Sequence, residues 1–140
     1  MGITQLIYVS DLVNADETHL APIVESAVRH NQEDNISGML LYSEGNFLQV
    51  LEGTPEQVEQ TYQRVCRDPR HTNIFILTQE DVDERHFADW SMGFRKLSEK
   101  DIASFPEYAP YFQFGFNQTD FKAKPGVALE MLKLFNKALP

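Results

Sequence analysis

The stretch "ISGMLLYSEGNFLQVLEG", residues 36–53, constrains this 140-residue chain more than any other. Two apolar, β-rich runs flank the segment Ser43 to Asn46, and Gly45 supplies the positive φ that a tight turn demands. The pattern predicts a β-hairpin. Strand side chains alternate between faces, so Phe47, Gln49 and Leu51 share one face while Leu48, Val50 and Glu52 share the other. Gln49 therefore sits among large apolar residues, where each polar group left unpaired costs roughly 1–3 kcal/mol. Any fold built on this hairpin must give Gln49 a partner.

The flanking segments are also periodic. Residues 3–10, "ITQLIYVS", predict a first strand with Leu6 and Tyr8 on one face and Ile7 and Val9 on the other. Leu20, Ile23, Val24, Ala27 and Val28 then recur at helical spacing behind a cap at Asp16 or Thr18. Pro22 implies that this helix starts late or bends, and His30 and Asn31 in "HNQEDN" mark its end. A second helix opens on Thr54 as cap, Pro55 at the first helical position and Gln57 as capping-box partner, turning Val58, Thr61, Tyr62 and Val65 inward. "TNIFILTQEDVD" and "WSMGFRKL" add two strands.

The order βαββαββ predicts an α+β fold, a ferredoxin-like sheet with both helices on one face. The other face needs a cover. Residues 98–140 supply it as a C-terminal helical extension: "SEKDIASF" as a turn or two of helix, and "GVALEMLKLFNKAL" as a helix with Val127, Met131, Leu134, Phe135 and Ala138 inward. The chain thus divides into a core of residues 1–97 and a C-terminal segment of residues 98–140. Between its helical parts lies the aromatic run "FPEYAPYFQFGF".

Composition narrows the function. A net charge of −9, from 21 acids against 12 bases, argues against nucleic acid as a partner. No apolar run is long enough to span a bilayer, and "MGITQLIYVS" does not read as a secretory signal, so a cytoplasmic location is expected. The single cysteine, Cys66, cannot form an internal disulfide. There is no Walker loop, dinucleotide fingerprint, CxxC or HExxH, and the four histidines lack ligand spacing, which points away from an enzyme or a metal centre.

What stands out is polar residues on apolar faces: Tyr8, Asn31 and Gln49. Each alone has an ordinary structural reading, as a core tyrosine with its hydroxyl at an edge, a helix cap and a backbone-bonded amide. Together they carry more, because the first and third strands are central neighbours in this fold. Tyr8 and Gln49 then meet, with Asn31 at the edge of the same cleft.

The strings "LIYVS", "HNQEDNISGMLLY", "FLQVLEG", "DPRH" and "WSM", in this order over residues 3–97, resemble the BLUF domain, a blue-light sensor module that holds flavin adenine dinucleotide (FAD) between its first two helices. The resemblance implies a photoreceptor rather than an enzyme. Tyr8 matches the family's photoactive tyrosine, the electron and proton donor, and Gln49 the glutamine between that tyrosine and the flavin. Asn31 matches the asparagine on the ring's polar edge, and His30 its neighbour. Arg64, Asp68, Arg70 and His71 fall where ribityl and phosphate contacts are expected. Trp90 and Met92 match the last-strand pair that would relay the signal. Two departures stand out: Ala27, with Ser26 beside it, replaces a serine common in the family, and Pro22 interrupts the first helix.

Implied partners are a separate effector or regulator protein, or a homo-oligomer, engaged through the C-terminal segment. The aromatic run has an equal reading as simple cover for the sheet. The competing class is a flavin-free, ferredoxin-like dimeric binding module with Tyr8 and Gln49 as core. A hydrolase using Arg70 and Asn73 around an anion is a more remote alternative.

Overall fold

The computed structural model describes residues 2–89, 91–106 and 124–137. Its elements are β1 (Ile3–Leu12), α1 (Leu20–Glu33), β2 (Ser37–Ser43), β3 (Asn46–Gly53), α2 (Pro55–Arg67), β4 (His71–Val82), β5 (Gly93–Lys96), α3 (Glu99–Ser104) and α4 (Pro125–Lys137). The sheet order is β4-β1-β3-β2-β5, antiparallel throughout except for the parallel pair of β2 with β5. The ferredoxin-like α+β expectation holds.

Local chemistry explains the boundaries. Glu44 and Gly45 both adopt positive φ, 44° and 89°, the backbone of a hairpin turn whose twist matches the strands it joins. Thr54 caps α2 by accepting from the Gln57 N–H at 3.3 Å, and its hydroxyl donates to Gln57 Oε1 at 3.0 Å. Asp16 caps a short 3-10 turn, Glu17–His19, rather than the α-helix itself, and α1 begins only at Leu20. Pro22 thus falls in the first turn, where its missing N–H has no helical acceptor to serve. Asn31 is not the terminator of α1. The helix runs on to Glu33, and Asn35, at φ 56°, takes the left-handed conformation beyond its end.

The two sheet faces bury separate cores. Leu6, Tyr8, Leu12, Leu40, Phe47 and Leu51 pack with Leu20, Ile23 and Val58 from α1 and α2. Ile7, Val9, Met39, Leu41, Leu48 and Val50 pack with Ala128, Met131, Leu132 and Phe135 of α4. The C-terminal helix therefore covers the face opposite α1 and α2, as expected, with Met131 and Phe135 buried in the cluster and Val127 packed against it; the stripe extends beyond the expected one to Ala128 and Leu132. Ala128 and Leu132 are buried, whereas Val127 and Leu134 are half-buried and Ala138 lies outside the described residues. Phe105 adds its ring edge to Phe135 at 5.5 Å, and the Arg95 guanidinium lies 5.4 Å from the same ring. Most of the aromatic run, residues 107–116, lies outside the described residues.

The last strand is shorter than the sequence suggests. Pairing with β2 starts at Gly93, opposite Met39, so Ser91 and Met92 belong to the segment leading into β5. Trp90 lies outside the described residues.

Met131 is fully buried in the cluster that joins α4 to the sheet. Met131→Ala should cost roughly 2–5 kcal/mol in denaturant unfolding, and a cost near zero would mean that α4 does not pack there.

Candidate functional site

Antiparallel pairing of β1 with β3 sets Tyr8 directly opposite Gln49. Both residues face α1 and α2, and both are buried. Tyr8 Oη donates to Gln49 Oε1 at 2.6 Å, which gives each group a partner that solvent cannot supply. Burial pushes the Tyr8 phenol well above its ordinary pKa, and the neighbouring Tyr62 and Cys66 add to the effect. Tyr8 is therefore a neutral donor at physiological pH. The Tyr62 ring stands edge-on to it at 5.4 Å, and burial followed by a hydrogen bond with Cys66 pushes the Tyr62 phenol up to about 12.

The nitrogen end of Gln49 is less well served. Nε2 donates to Met92 Sδ at 3.7 Å, and sulfur is a weak acceptor. The other N–H of that amide has no partner among the described residues. Gln49 borders a cavity of about 540 Å³ between α1 and α2. Ile23, Ala27 and Val65 supply apolar wall, and Ser26, His30, Asn31 and Thr61 bring polar groups to it.

Asn31 is buried within the last turns of α1, and its Nδ2 donates to the Ser91 carbonyl at 2.7 Å. It thus ties α1 to the segment before β5. His30 Nδ1 lies 2.9 Å from the Ser26 carbonyl, which can only accept, so Nδ1 carries the ring proton.

A basic end closes the site. Arg64, Arg67 and Arg70 line it together with Asp68, Pro69 and His71. Arg70 binds the Asp68 carboxylate through Nε at 2.9 Å and Nη2 at 2.7 Å. Burial opposes ionisation of Asp68, but the hydrogen bonds from Arg70 outweigh it and hold the carboxyl below its usual range. Arg64 reaches across to Asp34 beyond the end of α1 at 2.7 Å. Exposed Arg67 has no ion pair among the described residues. His71 is pushed down by burial, against an upward pull from Asp68, and its Nδ1 lies 3.2 Å from Ser10 Oγ. It is a neutral imidazole.

The structure accordingly brings His30, Asn31, Gln49, Arg64, Asp68, Arg70 and His71 to one cavity, with Tyr8 and Met92 bonded to Gln49. Thr61, Ser26 and Arg67 escaped the sequence reading as site residues. Thr61 is the most telling of these. It is 4% exposed and lines the cavity, yet its hydroxyl has no hydrogen-bond partner among the described residues. The available signal was its place on the inner stripe of α2, a polar group on an apolar face.

A family model described as "Sensors of blue-light using FAD" matches residues 3–93. The chain belongs to the BLUF family. Among its relatives, photoactivated adenylate cyclase subunit beta of Euglena longa is 32% identical over 106 residues, which cover 74% of this chain and 12% of that protein. The blue light- and temperature-regulated antirepressor BluF of Escherichia coli (strain K12) is 35% identical over 91 residues, 64% of this chain and 23% of that protein. The chain thus spans a small part of these relatives. A solved structure described as the BlsA photo-activated state superposes with a TM-score of 0.75 at 28% identity, covering 94% of each chain. The family's description is one of blue-light sensing, which agrees with the expectation of a sensor module over these residues.

The donor set suits the family's FAD: an apolar slot, a second Gln49 N–H and a Thr61 hydroxyl that have no partner among the described residues, and arginines at one end for phosphate. A buried hydroxyl without a partner costs stability, and a ligand acceptor placed against it would offset that cost. Thr61→Val keeps the shape and removes the hydroxyl. It should raise the melting temperature of the flavin-free protein while weakening FAD binding roughly five- to tenfold in an equilibrium titration. Unchanged affinity would take Thr61 out of the contact set.

Proposed function

We propose that this chain is a blue-light photoreceptor that binds FAD between α1 and α2 and reads illumination through the Tyr8–Gln49 pair. The observation that carries this reading is the 2.6 Å hydrogen bond between two buried groups at the edge of the cavity. FAD, when bound, supplies the blue-light absorption and the excited-state oxidant that draws an electron from a nearby phenol.

Tyr8 is the donor. Its raised pKa keeps the proton on the phenol in the dark, so that proton leaves only when the electron does, along the bond to Gln49 Oε1. Electron and proton then return to Tyr8 within the site, so no net redox change remains, and Gln49 is left rearranged, by a half-turn that exchanges its oxygen and nitrogen ends or by a net move of a proton from Nε2 to Oε1. Either change alters what Gln49 presents to Met92 and to the cavity. Gln49, Asn31 and His30 hold the ring's polar edge in this reading. Arg64, Asp68, Arg70 and His71 hold the ribityl and phosphate groups, with Arg67 adding the cation that lacks a carboxylate of its own.

The signal leaves through Met92 and Trp90 to residues 98–140, the output segment. Adenylate cyclase and antirepressor functions in the names of relatives fit a sensor that controls a separate effector or regulator protein, or its own oligomer. No helix among the described residues is long and apolar enough to cross a membrane, which is compatible with a cytoplasmic sensor.

Replacement of Gln49 by Leu should leave flavin bound and abolish the light-induced red shift; a shift that survives would remove Gln49 from the mechanism. The pH dependence has a definite sign. Because burial raises the Tyr8 pKa above about 10, the amplitude of the shift should stay flat from neutrality to about pH 10. A loss of amplitude centred below that value would show that some other group controls the response.

A further inference from the structure

Glu52 lies on β3 three residues beyond Gln49, facing the opposite side of the sheet, and is fully buried. Three donors converge on its carboxylate. The Phe87 N–H reaches Oε1 at 2.8 Å, while the His86 N–H at 3.0 Å and Gln5 Nε2 at 2.9 Å share Oε2. Gln5 Nε2 also reaches His86 Nδ1, at 3.2 Å. Two successive backbone N–H groups need acceptors, and a carboxylate offers two with no donor of its own. An amide would set an N–H₂ against one of them.

Arg85 grips the same place from the solvent side. Its guanidinium donates to the Glu52 carbonyl at 3.0 Å, Ser37 Oγ at 2.9 Å and the Asn35 carbonyl at 2.8 Å. Residues 85–87 are thereby pinned to the end of β3 and the start of β2. The Phe87 side chain, fully buried, joins the cluster beneath α4. Beyond it, the Ser91 carbonyl accepts from Asn31 and Met92 Sδ accepts from Gln49. Only residues 88–90 separate these two sets of anchors.

We infer that Glu52 is a positioning residue: by holding the backbone of His86 and Phe87 it sets how Met92 meets Gln49, and it ties that contact to the packing of Phe87 under α4. The role in signalling rests on Gln49 being the light-responsive group. The role in positioning does not.

Glu52→Gln in the full, flavin-loaded chain tests both. Amide hydrogen exchange in the dark should accelerate on the order of tenfold or more at His86 and Phe87 and also at residues 91–94. Dark recovery of the light-shifted spectrum should change several-fold in the same variant. Acceleration confined to residues 86 and 87, with recovery as in the unaltered chain, would reduce Glu52 to local support and overturn the inference. Arg85→Ala loosens the same anchor from the half-exposed side, so it decides the matter if Glu52→Gln does not fold; normal exchange at residues 91–94 in that variant would also overturn it. An unaltered chain with no light-induced shift would sink the photoreceptor reading, and dark exchange would still judge the clamp.

Discussion

The hydrogen bond between Tyr8 and Gln49 depends on the register of two strands and gives that register its consequence. Both groups lie buried on the helix-covered face of the two central strands. A slip of one residue in β3 would turn Gln49 to the other face and bring Leu48 or Val50 against Tyr8. The hairpin turn at Glu44 and Gly45 holds β3 against β2, and β1 pairs with β3 along eight residue pairs from Thr4 to Asp11, so the turn backbone and the strand apolarity together guarantee the contact. Once the bond forms, the oxygen end of Gln49 has a strong partner, while its nitrogen end has only the weak sulfur acceptor of Met92 among the described residues. That asymmetry creates a site open to a ligand on one side and to Met92 on the other.

The sheet separates two tasks. Its α1 and α2 face encloses the cavity, with an apolar wall, a polar border and an arginine-rich end. Its opposite face is closed by α4. Residues of the segment from β4 to β5 touch both, Phe87 on one side and Ser91 and Met92 on the other. In the proposed mechanism this segment, held at so many points, would carry a change at Gln49 toward the C-terminal helix. The Asp68–Arg70 and Arg64–Asp34 pairs have a comparable effect at the cavity, fixing arginines in place within an acidic chain.

Much of this was legible in the residues, for local reasons. The hairpin, the capped start of α2 and the meeting of Tyr8 with Gln49 follow from turn chemistry, capping and alternation. Asn31 was misread as a terminator because Asn often ends helices, whereas Asn35 does so here and Asn31 bonds a segment sixty residues away. Met131, Phe135 and Val127 of the α4 stripe were legible, whereas Ala128 and Leu132 were not, because "GVALEMLKLFNKAL" carries apolar residues at overlapping helical spacings and packing against the sheet selects among them. Thr61 and Glu52 show the same anomaly as Gln49, a polar group on an apolar face. Only the partners told them apart: for Thr61 none among the described residues and a cavity beside it, and for Glu52 three converging donors.

The most direct test is the absorption spectrum of the purified chain, loaded with FAD, taken in darkness and immediately after blue light. A flavin band that moves slightly to the red and returns in the dark is the predicted result, because the Tyr8–Gln49 pair would then change hydrogen bonds without net redox change. A band that bleaches would mean that electrons stay on the flavin and the pair does not return them. Failure to retain flavin at all would leave the amide nitrogen of Gln49 and the hydroxyl of Thr61 facing some other ligand, and would contradict the account outright.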